Sequence, residues 1–167
     1  MQRVIIDDNC SIHFVTFSCY KKRHFLDSDR AKKIVIGVLG SQLTKQNGKC
    51  IGFVIMPEHV HALIWFPDKG QISHFMKQFK QRTSVQIKQF LLKHFPNYIS
   101  TIDSEDPAWQ AKYYNFNIYN EKKMLEKLTY MHYNPVKIGL VENPCDWKYS
   151  SALFYDQGKS VGIKVGW

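Results

Sequence analysis

The apolar residues of this chain switch repeatedly between two spacings, and the switches mark its elements. Residues 11–19, Ser-Ile-His-Phe-Val-Thr-Phe-Ser-Cys, are β-branched and aromatic and read as a strand. A polar, basic loop follows over residues 20–23. Ala31, Ile34, Val35, Val38, Leu39 and Leu43 then recur at steps of three and four, the spacing of one helix face. Asp27 or Ser28 can cap that helix and Asn47-Gly48 ends it. Residues 50–56 are nearly all apolar and predict a central strand; residues 59–66 predict a third. From Ile72 the helical period returns through Phe75, Met76, Phe79, Thr83, Ile87, Phe90 and Leu91, stopping before Pro96. Residues 97–108 read as a polar surface loop and residues 112–118 as a fourth strand. Asn120 is positioned to cap a last helix that carries Met124, Leu125, Leu128 and Met131 inward to about Tyr133. After Pro135 little regular pattern is left.

The order β-α-β-β-α-β followed by a helix predicts an α+β, ferredoxin-like fold: four antiparallel strands with both crossover helices on one face. A length of 167 residues suits one domain spanning 1–167, with a core over about 11–134 and a tail over 135–167.

Charge narrows the class of partner. The formal net charge is +9 and the pI about 9.4, which points to an anion, nucleic acid before a membrane surface. Much of the charge sits on the second long helix, where Lys77, Lys80 and Lys88 share a stripe and no acid occurs from Lys69 to Ile102. The four cysteines form no Cys-x-x-Cys pair, so a zinc ribbon is not expected. The N-terminus carries Asp7 and Asp8 where a signal peptide would be apolar, and no apolar run is long enough to cross a membrane. The expected location is the cytoplasm, with free thiols.

The stretch with the most chemistry is Met56-Pro57-Glu58-His59-Val60-His61. In a strand, residues i and i+2 share a face, so His59 and His61 project side by side and can hold one divalent ion. A further ligand is needed. Tyr130 and Asn134, four apart on the last helix, offer a nucleophile and a hard oxygen ligand on one face. The blander reading is two unrelated histidines at a strand entry, one tyrosine among nine and a helix-end asparagine.

His59-Val60-His61 resembles the histidine-hydrophobic-histidine (HUH) motif of single-tyrosine transposases, above all the REP-associated tyrosine transposases and the small insertion-sequence transposases related to them. Four further blocks fit the same family: Phe79-Lys80-Gln81-Arg82-Thr83-Ser84, Trp109-Gln110-Ala111-Lys112-Tyr113-Tyr114, Tyr130 to Val141 with its Asn134-Pro135-Val136-Lys137 segment, and Asp146-Trp147-Lys148-Tyr149-Ser150-Ser151. The resemblance extends over about residues 13–152, with these blocks between residues 59 and 151.

The resemblance implies a DNA transposase that binds single-stranded or hairpin DNA and cuts and rejoins it. Tyr130 would form a 5′-phosphotyrosine, with Mg²⁺ or Mn²⁺ on His59, His61 and Asn134. Lys77, Lys80, Arg82, Lys88 and Lys112 are the expected phosphate contacts, each otherwise a solvated lysine or arginine. Trp109 is expected either to stack on a base or to sit in the core. Glu58 reads as a solvated loop carboxylate or as a partner orienting His59. Where relatives carry an acidic residue and a histidine after Tyr113-Tyr114, this chain has Asn115 and Phe116. A homodimer and a monomer both fit the family. Two other functions remain open from the residues alone: a non-catalytic single-stranded nucleic-acid-binding module, and a metal hydrolase of small anions.

Overall fold

The computed structural model describes residues 11–166; Asp7, Asp8 and Cys10 lie outside the described residues. Its elements are β1 (Ser11–Ser18), α1 (Asp29–Lys45), β2 (Lys49–Ile55), β3 (His59–Phe66), α2 (Gln71–His94), α3 (Pro96–Ile99), β4 (Tyr114–Ile118), α4 (Glu121–His132), α5 (Asn134–Lys137) and α6 (Ala152–Gln157). The strands form one antiparallel sheet in the order β2-β3-β1-β4, the ferredoxin-like arrangement that the pattern of apolar residues predicts. The caps fall where the sequence places them. Ser28 accepts from the Ala31 amide at 3.1 Å, and Asn120 from the Lys123 amide at 2.7 Å.

Strand alternation divides the core in two. Val15, Phe17, Val60, Ala62 and Ile64 point to the face covered by α1 and α2, against Val35, Leu39, Phe75 and Phe79. Phe14, Ile51, Val54 and Leu63 point the other way, to Met124, Leu128 and Met131 of α4. Leu125, expected to point inward with them, is exposed, because it lies about 100° round the helix from Met124. His59 and His61 are in step with Leu63 and so lie on the α4 face. Helix α4 comes close to β2 because residue 52 is glycine. A Cβ there would fall 2.5 Å from Leu128 Cδ2 and 2.6 Å from Met131 Cε.

Strand β2, expected to be central, is an edge strand of the sheet; its apolar run reflects burial on both faces and cover by the returning C-terminal chain. Two further segments depart from the sequence expectation. The chain after Pro135 is not irregular throughout, because it returns along the outer edge of β2. Ile55 donates to the Tyr149 carbonyl and Ser151 to the Phe53 carbonyl, both at 2.9 Å, and Gly166 donates to the Cys50 carbonyl at 2.9 Å. Edge strands carry unpaired backbone groups that need partners, and this short return supplies them. The stretch 149–151 is too brief to show a period. Likewise, residues 97–108 are not all surface loop: α3 opens the segment and Ala108 closes it in the core.

Candidate active site

Strand β3 and the C-terminal end of α4 build the site between them. His59 and His61 present their Nε2 atoms to each other at 3.1 Å, and the Asn134 side-chain amide lies 2.8 Å from His61 Nε2. Three candidate ligand groups from two elements thus meet at one place. Pro135 does not displace Asn134; the residue stands at the break between α4 and α5, where its side chain turns back onto the sheet.

Each imidazole is held from behind. Glu58 Oε1 accepts from His59 Nδ1 at 2.8 Å. A carboxylate can only accept, so the His59 proton is fixed on Nδ1 and a lone pair on Nε2 faces His61. Glu58 is therefore an orienting partner rather than a solvated carboxylate. Thr16 Oγ1 sits 2.7 Å from His61 Nδ1, placed there because β1 pairs Thr16 with His61. Burial lowers the His61 pKa to about 3, with the charges of His59, Lys127 and Lys22 adding to it. Burial also lowers that of His59, against the opposing pull of Glu58. Neutral imidazoles and an amide are suitable donors for a divalent ion, so the residues fit the group that the resemblance implies.

Tyr130 stands beside them. Its ring meets His61 edge-on at 5.5 Å and Phe14 at 6.2 Å, and it keeps 44% exposure, so substrate can reach it. Phe14 in turn stacks on His61 with centroids 5.5 Å apart. Two lysine amines flank the phenol ring, Lys137 at 5.4 Å from its centre and Lys127 at 5.9 Å. Tyr133 is exposed as well, but among the described contacts it has none with the histidines.

The expected DNA contacts are scattered by the fold. Helix α2 lies behind the sheet, so exposed Lys77 and Arg82 face away from the histidines. Lys80 donates to the carbonyls of Gln110 and Ala111 at 2.6 and 3.1 Å, and Lys88 to that of Asp106 at 2.7 Å. These two tie the segment before β4 to α2. Lys112 is exposed near the start of β4. Trp109 is 3% exposed, packs on Phe17 at 5.1 Å and donates from Nε1 to Thr83 Oγ1 at 2.9 Å. It takes the core position, not the base-stacking one, because its ring is enclosed.

Thr16 and Lys127 are not among the residues that the sequence singles out, and Lys137 enters there only as part of the family-like segment. Thr16 shares the face of His61 through the β1–β3 register, which the sequence does not record. Helical spacing would have found Lys127, three before Tyr130.

Known proteins resemble this chain in sequence and in fold. The family described as "Transposase IS200 like" matches residues 7–134. A Haemophilus influenzae protein, named as a provisional REP-associated tyrosine transposase, is 31% identical over 106 residues. The match covers 60% of this chain and 57% of that protein, so the chain spans little more than half the length of this relative. A solved REP-associated tyrosine transposase bound to a REP hairpin superposes with a TM-score of 0.67 at 16% identity, covering 99% of this chain and 92% of that one. The crystal structure of a transposase candidate from Deinococcus radiodurans superposes at 0.51 and 16% identity, covering 78% of this chain and 95% of that one. By the length of the family match, this chain belongs to the IS200-like transposases.

Proposed function

We propose that the chain binds hairpin or single-stranded DNA and transfers a DNA strand through a covalent link to Tyr130. One observation carries this reading: His59, His61 and the Asn134 amide converge, with Tyr130 against His61 on the open side. The solved structure of a relative holding a REP hairpin supports hairpin DNA as the substrate class. Thr16 and Glu58 orient the imidazoles. The Asn134 carboxamide, whose oxygen and nitrogen exchange on half a turn, can supply an oxygen. Bound there, Mg²⁺ or Mn²⁺ would polarise the scissile phosphate as a Lewis acid. Tyr130 attacks phosphorus, a 5′-phosphotyrosine forms, and a 3′-hydroxyl departs. A second strand end reverses the step, so the exchange conserves bond energy.

The test is a panel of hairpin oligonucleotides incubated with protein and Mn²⁺, with covalent adduct read on a denaturing gel. Adduct is expected with native chain and none with Tyr130→Phe, which keeps its DNA affinity. An adduct of normal yield from Tyr130→Phe would reassign the nucleophile, with Tyr133 next to be examined. DNA binding with no adduct under any condition would favour a non-catalytic module.

A further inference from the structure

Lys127 lies one turn before Tyr130 on the same stripe of α4, and Asn134 follows just past the end of that helix. Its stem is half-buried. Its amine sits 4.9 Å from the ring centres of both Phe14 and Phe116, as well as beside Tyr130. Phe14 ties the arrangement together, since the same ring stacks on His61 and takes the edge of Tyr130. Among the described residues no carboxylate pairs with Lys127; its neighbour Glu126 bonds Lys123 instead, at 2.7 Å. The amine is thus held next to the nucleophile only by ring faces, which attract a cation less strongly than a phosphate does. Lys137 also reaches the Tyr130 ring, but from an exposed position where solvent weakens its charge.

We infer that Lys127 is a further catalytic residue: its ammonium leaves the aromatic cluster to bind a non-bridging oxygen of the phosphate that Tyr130 attacks. This rests on the strand-transfer reading above. In that step the Tyr130 oxygen bonds to phosphorus as the bond from phosphorus to the 3′ oxygen breaks. The phenol proton passes to water and the 3′ oxygen takes one from water, so no co-reactant is consumed. Negative charge spreads over the phosphate oxygens on the way, and an ammonium bonded to one of them favours that state over the ground state.

The test uses Lys127→Met, which keeps an unbranched stem over Phe14 and removes the charge, alongside Lys127→Arg, which keeps the charge. The rate of adduct formation should fall about 100-fold in Lys127→Met and by no more than about tenfold in Lys127→Arg. Independently of cleavage, hairpin affinity is measured against salt in the Tyr130→Phe background. Adding Lys127→Met should flatten the log–log slope by about 0.7, one phosphate contact on a single strand. Cleavage by Lys127→Met within about threefold of the native rate would overturn the assignment, because no donor of this kind is worth so little. So would a slower rate with an unchanged slope, which would leave Lys127 a packing residue. If the native chain forms no adduct, the strand-transfer reading itself fails, and the slope alone then decides whether Lys127 meets a phosphate. Should Lys127→Met lose its thermal transition, Lys127→Gln takes its place in both measurements.

Discussion

Leu128 lies directly above Gly52, so close that a Cβ on residue 52 would fall 2.5 Å from its Cδ2. The contact sets how near α4 approaches the sheet, and α4 carries Tyr130 with Asn134 just beyond its end. Gly52→Val should therefore cost about 1–3 kcal/mol of stability by overpacking. It should also slow adduct formation more than that loss of folded protein explains. Urea unfolding and single-turnover cleavage on the same preparation separate the two effects; a stability loss with unchanged cleavage would show that α4 shifts without moving Tyr130.

Thr16→Val keeps the shape of the residue behind His61 and removes the hydroxyl that meets its Nδ1 at 2.7 Å. Loss of such a supporting bond weakens metal binding by about 10–100-fold. Mn²⁺ titration by calorimetry should find that drop with the melting transition retained. Equal affinity in the variant would remove Thr16 from the site.

These two predictions also show where the sequence was legible. Strand and helix positions followed from apolar spacing because each element buries one face, and His59 and His61 were recognisable because strand alternation acts over two residues. Helical spacing suggests Tyr130 with Asn134, and it takes the family-like segment around them to favour that pair over an ordinary tyrosine and a helix-end asparagine. Thr16, Gly52 and the Tyr149-Ser150-Ser151 return act across the sheet, between residues far apart in the chain, and no local period records such contacts. Lys80 and Lys88 show the opposite failure. Their helical stripe is real, yet their amines are taken by backbone carbonyls of the segment before β4, a use of charge that spacing cannot distinguish from an open phosphate-binding face.

Acid should destabilise the fold through its buried histidines. Burial holds His132 at about 4 and drives His61 to about 3, the latter with help from neighbouring charge. Unfolded, each titrates near 6.5. Below that value the unfolded chain binds protons that the folded chain refuses, so stability is full above about pH 6.5 and falls as the pH drops towards 4 and then 3. Each histidine contributes up to about 1.4 kcal/mol per pH unit within its window. Urea midpoints measured from pH 7.5 to 5 should decline, and His132→Gln should flatten part of the decline. A midpoint constant over that range would mean that neither imidazole is held neutral.

Trp109 offers a clean decision between core and DNA. Its indole donates to Thr83, whose own hydroxyl donates to the Phe79 carbonyl at 2.8 Å, and its ring packs on Phe17. Trp109→Phe should leave a void and an unmatched Thr83 lone pair, costing about 1–3 kcal/mol. Thr83→Val, which deletes the same bond from the other side, should reproduce part of that loss. Hairpin affinity in the Tyr130→Phe background should change by less than about twofold for either variant. A stacked base is worth about 1–3 kcal/mol, so a ring that met DNA would lower affinity about 5- to 150-fold when replaced by alanine. Trp109→Ala in that background, at a temperature where it stays folded, should bind as tightly as its parent. An affinity loss of that size in the folded variant would return Trp109 to the DNA surface.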